Sequence, residues 1–152
     1  MEAAMMYLQV VCTLLVCVVA APCIAQSSLD WQPFGASMTG GHAQPVLVYI
    51  QASWCGACRR LERETFADAQ VRNQLRRWTL SALTIDDFDR LHRVGPYQLS
   101  EAAWATRLGI DTTPSFVLLR PDGSILARHT GFLPPDGLLT LLAATDTTNQ
   151  SE

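Results

Sequence analysis

The apolar positions fall into short runs separated by polar, glycine and proline breaks, and their spacing lays out the elements in chain order. Val46-Leu47-Val48-Tyr49-Ile50 is uninterrupted and reads as a buried strand, and Ala57 to Glu64 is built of good helix formers, so a strand hands over to a helix here. Thr65-Phe66-Ala67-Asp68 breaks the pattern, with Asp68 placed to cap a second helix, Ala69 to Arg77. Trp78 to Ile85 alternates loosely and predicts a strand parallel to the first after that helical crossover, a βαβ unit. The charged stretch Asp86 to Pro96 ends in a turn signal and reads as a solvated loop. Ser100 is an N-cap for a helix Glu101 to Leu108, with Ala102, Ala105 and Leu108 on one side and Gly109 closing it. Beyond Asp111-Thr112-Thr113-Pro114, the strand Ser115 to Leu119, the turn Pro121-Asp122-Gly123 and the strand Ser124 to His129 predict a hairpin. Gly131-Phe132 then leads to a final helix, Pro135 to Ala144, whose leucines at 138, 139, 141 and 142 supply a core face; the polar residues 145–152 are expected to be disordered.

Ahead of this lies a different composition. Ala3 to Ala21 is nearly continuous apolar sequence, clearly broken only at Gln9, and Cys23-Ile24-Ala25 before Gln26 offers a small-residue cleavage site. Residues 1–25 therefore read as an export signal, although the leading stretch carries Glu2 and neither lysine nor arginine. A retained membrane anchor and lipidation at Cys23 are the alternatives, Pro22 arguing against the second, and all of them place the rest of the chain outside the cytosol, in a periplasm or similar space. Residues 26–44, punctuated by Pro33, Gly35, Gly40 and Gly41, form a lead-in with at most a short strand or helix around Trp31-Gln32-Pro33-Phe34, and His42 in it reads as a solvated loop residue.

The chemistry concentrates in Trp54-Cys55-Gly56-Ala57-Cys58, at the strand-to-helix junction. A cysteine capping a helix N-terminus meets unsatisfied backbone N–H groups and the positive end of the helix dipole, both of which stabilise a thiolate, and Arg59 and Arg60 follow it. Cys58, one turn on, is within reach of a mixed disulfide formed at Cys55, so the pair can complete a two-step exchange by itself. A zinc site would need further ligands, and His42, His92 and His129 provide no second metal-spaced pair; nor do the aspartates at 86, 87 and 89 have the spacing of a calcium loop. A purely structural disulfide across so short a loop would remove little unfolded-state entropy. Of the five cysteines, Cys12, Cys17 and Cys23 lie in the segment expected to be removed, leaving Cys55 and Cys58 without an internal partner for scrambling. The 152 residues are 49% hydrophobic, enough for one domain with a core, and a formal charge of −3 gives no electrostatic reason to bind nucleic acid. All basic residues are arginine, for which physics offers no account.

The order strand, W-C-x-x-C, helix, strand, helix, T-P, hairpin, G-F, helix resembles the thioredoxin superfamily over roughly residues 30–144. Within that superfamily, Trp54 to Cys58, Glu64-Thr65-Phe66-Ala67-Asp68 with Val71, and Thr130-Gly131-Phe132 are similar to the C-terminal domains of thiol:disulfide interchange proteins of the DsbD type. The resemblance implies an α/β thioredoxin-like domain over 45–144, a central mixed sheet flanked by helices. It also implies a redox-active Cys55–Cys58 pair needing no further cofactor, supported by Trp54, Gly56 and Ala57. Pro114 would be a cis-proline facing the cysteines, and Thr113 would offer its backbone to an extended partner chain. Protein thiols and disulfides would be the partners, with an upstream electron donor at the membrane, and the activity would be protein-disulfide reduction. Disulfide donation or isomerisation, or a copper- or client-binding module using the pair as soft ligands, are the alternatives. Three departures stand out. Tyr49 occupies the position of a buried aspartate that helps move the second thiol's proton, which makes Glu62, one turn beyond Cys58, a candidate substitute, the alternative being a merely exposed helical glutamate. Asp87 to Leu99 is longer than the usual connection. The long membrane domain of the interchange proteins has no counterpart, which predicts a free-standing or singly anchored domain.

Overall fold

The computed structural model describes residues 28–39 and 43–149. The expected signal or anchor segment and His42 lie outside them. Among the described residues twelve elements follow one another: β1 (Trp31–Pro33), α1 (Phe34–Thr39), β2 (Val46–Gln51), α2 (Gly56–Glu64), α3 (Ala69–Leu75), β3 (Thr79–Thr84), β4 (Leu91–Val94), β5 (Tyr97–Ser100), α4 (Glu101–Arg107), β6 (Ser115–Leu119), β7 (Ile125–Thr130) and α5 (Pro135–Asn149). Five strands make one mixed sheet in the order β1-β3-β2-β6-β7, in which β1, β3 and β2 run parallel while β6 and β7 are antiparallel to their neighbours.

The uninterrupted apolar run of β2 is explained by its central position, with both faces covered. Leu47 and Tyr49 point to one side, packing with Leu61 of α2, Val71 and Leu75 of α3, and Leu138 and Leu142 of α5. Val46, Val48 and Ile50 point to the other, against Phe34 of α1 and Trp104, Ala105 and Leu108 around α4. Each face buries one core, and the alternation along the strand decides which residue joins which.

Local signals act as expected at the helix starts. Asp68 accepts from the backbone N–H groups of Gln70 and Val71, and Ser100 accepts from that of Ala103. Residues 26–44 contribute more than a lead-in, because β1 pairs with β3 as the sheet edge and Phe34 is fully buried. The final helix also runs past Ala144 to Asn149, with Thr145 buried and its hydroxyl donating to the Leu141 and Leu142 carbonyls.

One expectation is overturned. Asp86 to Pro96 is not a solvated loop throughout, since Leu91–Val94 pairs antiparallel with Tyr97–Ser100 as a separate two-stranded sheet. Gly95, at a φ of 56° that a Cβ would strain, and Pro96 close its two-residue turn. His92 is buried there: its Nε2 lies 3.0 Å from Oε1 of the buried Glu101, and its Nδ1 accepts from the Gly35 backbone N–H. Two satisfied ring nitrogens make a core position favourable for a residue whose neighbours Leu91 and Arg93 are exposed. Among the described residues no helix is long and apolar enough to cross a membrane.

Candidate functional site

The site forms where β2 ends. Ala52 is buried, Ser53 and Trp54 turn outward, and Cys55 becomes the N-cap of α2 in an extended conformation, its own N–H donating to the Ala52 carbonyl at 3.1 Å. Cys55 and Cys58 are joined as a disulfide with Cα atoms 5.3 Å apart. The backbone N–H of Cys58 donates to Cys55 Sγ at 3.0 Å, so one of the helix's unsatisfied N-terminal donors is already aimed at that sulfur. Both cysteines are almost fully buried, Cys55 at 4% and Cys58 at 2% exposure, while Trp54 beside them is 68% exposed. A cavity of about 300 Å³ opens beside the pair, lined by Ser53, Cys55, Cys58, Arg59, Glu62 and Thr84 among others.

The residues between the cysteines are exposed helix positions, and a Cβ on Gly56 would meet nothing nearer than an Arg59 side-chain nitrogen at 3.8 Å. Gly56 is thus not demanded by packing. The Thr113–Pro114 peptide bond is cis. Ser115 pairs with Ile50, which sets Pro114 at the end of the sheet where β2 enters the cysteine turn. Pro114 is buried and its carbonyl accepts from the Gly131 N–H at 2.8 Å, whereas the Thr113 hydroxyl is buried without a hydrogen-bond partner. Two more contacts bind the same end together: the Thr65 hydroxyl donates to the Leu133 carbonyl at 2.6 Å, and the Arg60 guanidinium sits 4.5 Å over the Phe132 ring.

Tyr49 and Glu62 are brought together. The buried Tyr49 ring packs against Trp31, Phe66 and Phe116, and its hydroxyl donates to Glu62 Oε1 at 3.4 Å. Burial first, then the charge of Glu62 and the hydrogen bond to it, hold the phenol far above its ordinary range. Tyr49 therefore stays protonated, a donor that cannot serve as a base. Glu62 is exposed and lines the cavity that contains Cys58.

Ser53, which belongs to no motif, and Asp86, one of the aspartates set aside as a calcium site, fasten the turn. The Ser53 hydroxyl and backbone N–H both donate to the Asp86 carboxylate, at 2.5 and 3.2 Å. The Ser53 hydroxyl is the main reason that the Asp86 carboxyl lies below its ordinary range. The signal was faint, a serine before the tryptophan and an aspartate after the second parallel strand, and only the parallel register puts the two strand ends side by side.

Comparisons with known proteins agree with this arrangement. Over 112 residues, 72% of the chain, it is 28% identical to the thiol:disulfide interchange protein DsbD of Yersinia enterocolitica, of which it spans 18%. A shorter stretch of 37 residues, 24% of the chain and 6% of the relative, is 49% identical to DsbD of Pectobacterium atrosepticum. The fold is similar to a thioredoxin from Thermus thermophilus, with a TM-score of 0.63 at 23% identity, covering 79% of this chain and 88% of that one. It is also similar to the oxidised C-terminal domain of DsbD from Neisseria meningitidis, with a TM-score of 0.52 at 19% identity over 67% and 80% of the two chains. A model of the thioredoxin-like domain matches residues 36–146, and the chain belongs to that family.

Proposed function

We propose that this protein is an exported thiol:disulfide oxidoreductase that reduces disulfides of other proteins. The observation that carries the reading is the Cys55–Cys58 pair at the start of α2, with the Cys58 N–H directed at Cys55 Sγ. In the reduced protein that donor and the helix dipole favour a thiolate at Cys55. The thiolate attacks one sulfur of a partner disulfide, forming a Cys55–partner bond and releasing the partner's other sulfur as a thiolate. Cys58, losing its proton to Glu62, attacks Cys55 Sγ, forming the intramolecular disulfide and releasing the second partner thiolate, which takes up a proton. Two electrons leave the protein for the partner, and a further dithiol, in this proposal a donor at the membrane, must return them. Export is supported by the apolar first 25 residues and by the absence of cysteines after Cys58.

Insulin reduction tests the reading. The full chain should catalyse it with a dithiol as electron source, and Cys58→Ser should accumulate a Cys55-linked mixed disulfide visible by mass under non-reducing conditions. Tight copper binding with no thiol exchange at all would replace it with the soft-ligand alternative.

A further inference from the structure

The turn after β3 forms a second concavity joined to the first. It has a volume of about 640 Å³ and gathers Asp86, Asp87, Phe88 and Asp89 beside Ser53 and Thr84, and the last two also line the cavity that holds the cysteines. Phe88 is 73% exposed and Trp54, next to Ser53, is 68% exposed, so among the described residues an apolar side chain beside each concavity is left largely uncovered. Each ring offers an apolar face that an incoming chain can cover.

Charge narrows the choice of what covers them. The Ser53 hydroxyl keeps the Asp86 carboxyl low, and the Arg90 backbone N–H does the same for Asp87, so both are anionic at neutral pH. Arg90 is the basic side chain in this wall, and it is directed at Asp87 and the buried Glu101, at 3.7 and 3.4 Å. Asp89 is exposed, and its backbone N–H donates to Asp87 Oδ1. The wall beyond Ser53 is thus aromatic and negatively charged, while Arg59 is the basic side chain on the cysteine cavity itself.

Resting on the redox reading above, we propose that this surface docks an extended segment of the partner protein that carries a basic residue close to its reacting cysteine. Phe88 and Trp54 cover the segment's apolar side chains and Asp89 meets the basic one, while the partner's sulfur enters the neighbouring cavity. The contribution of such a rim charge falls on encounter rate and salt dependence.

The test uses the full chain, pre-reduced, in single turnovers against disulfide-linked homodimers of a short peptide with either arginine or glutamate two residues from its cysteine. Hydroxyethyl disulfide serves as a featureless substrate for the wild type. At low salt the arginine peptide should react about tenfold faster than the glutamate peptide, and the ratio should shrink as added salt screens the exposed charges. Asp89→Asn should bring the ratio toward unity, and Phe88→Ala should slow both peptides several-fold. Equal rates for the two peptides in a protein that reduces hydroxyethyl disulfide would overturn the docking surface and leave the redox reading intact. No reaction with any of the three substrates would overturn the redox reading itself, and the docking surface with it.

Discussion

In the proposed reaction, Tyr49 and Glu62 divide the handling of the Cys58 proton between them. A phenol that keeps its proton cannot accept one from Cys58, but it can hold the Glu62 carboxylate by donating to it, and that carboxylate lines the same cavity as Cys58. The resolving step is thus expected to depend on Glu62 and, more weakly, on the phenol. Glu62→Gln should slow decay of the Cys55 mixed disulfide by up to about 100-fold near neutral pH, the lower range of general-base contributions. The defect should shrink at alkaline pH, where Cys58 ionises without help, and rapid-quench measurement of the decay against pH would detect this. A defect independent of pH would mean that Glu62 only shapes the cavity. Tyr49→Phe keeps the ring packing and leaves Glu62 free to find water, so its unfolding free energy should change by less than about 1 kcal/mol while resolution slows several-fold.

Among the elements, the β4–β5 hairpin was the least legible in the sequence, and the reason lies in Leu91-His92-Arg93-Val94. A strand with one face on the core should alternate apolar inward and polar outward, yet here Leu91 is 55% exposed and His92 is buried, the reverse of the rule. The inversion works because Glu101, at the first position of α4, meets His92 Nε2 and also accepts from the Thr84 N–H at 2.6 Å. By contrast, β2, β6 and the caps at Asp68 and Ser100 were readable, since each rests on a local run or a single side chain. The cysteine pair was equally plain, whereas the Ser53–Asp86 bond depends on strand register and so left only a faint mark in the sequence. Glu101 ties the hairpin, α4 and the end of β3 into one unit, and Arg90, 66% exposed, adds little to it. Glu101→Ala would leave His92 Nε2–H and the Thr84 N–H unsatisfied in the interior and should cost about 1–3 kcal/mol for each. Urea unfolding checks this, with Glu101→Gln, which retains an acceptor, as the milder comparison; equal and small losses would show the network to be dispensable.

At the scale of the whole molecule, redox state and stability are two sides of one cycle: whatever the fold does to the Cys55–Cys58 equilibrium, that equilibrium does to the fold. Two effects oppose each other. The Cys58 N–H and the start of α2 favour a thiolate at Cys55 and so stabilise the reduced protein. Against this, both cysteines belong to the core cluster with Ala52, Leu61 and Phe66, and reduction would place two separate sulfur groups, one of them charged, where only 4% and 2% of these residues meet solvent. The helix end decides which of the two sulfurs carries the charge, and its contribution of up to about 2 kcal/mol is smaller than the cost of burying two separate polar sulfur groups where one disulfide stood. The oxidised form should therefore be the more stable, with a higher urea midpoint than the reduced form at neutral pH. A folded state that prefers the disulfide gives up electrons readily, and every ~30 mV of potential corresponds to about 1.4 kcal/mol between the two unfolding free energies. Titration against glutathione should then place the couple nearer the roughly −270 mV of thioredoxin than the roughly −120 mV of DsbA. A reduced form more stable than the oxidised one, together with a potential near the upper value, would reverse the direction of electron flow and make the protein a disulfide donor.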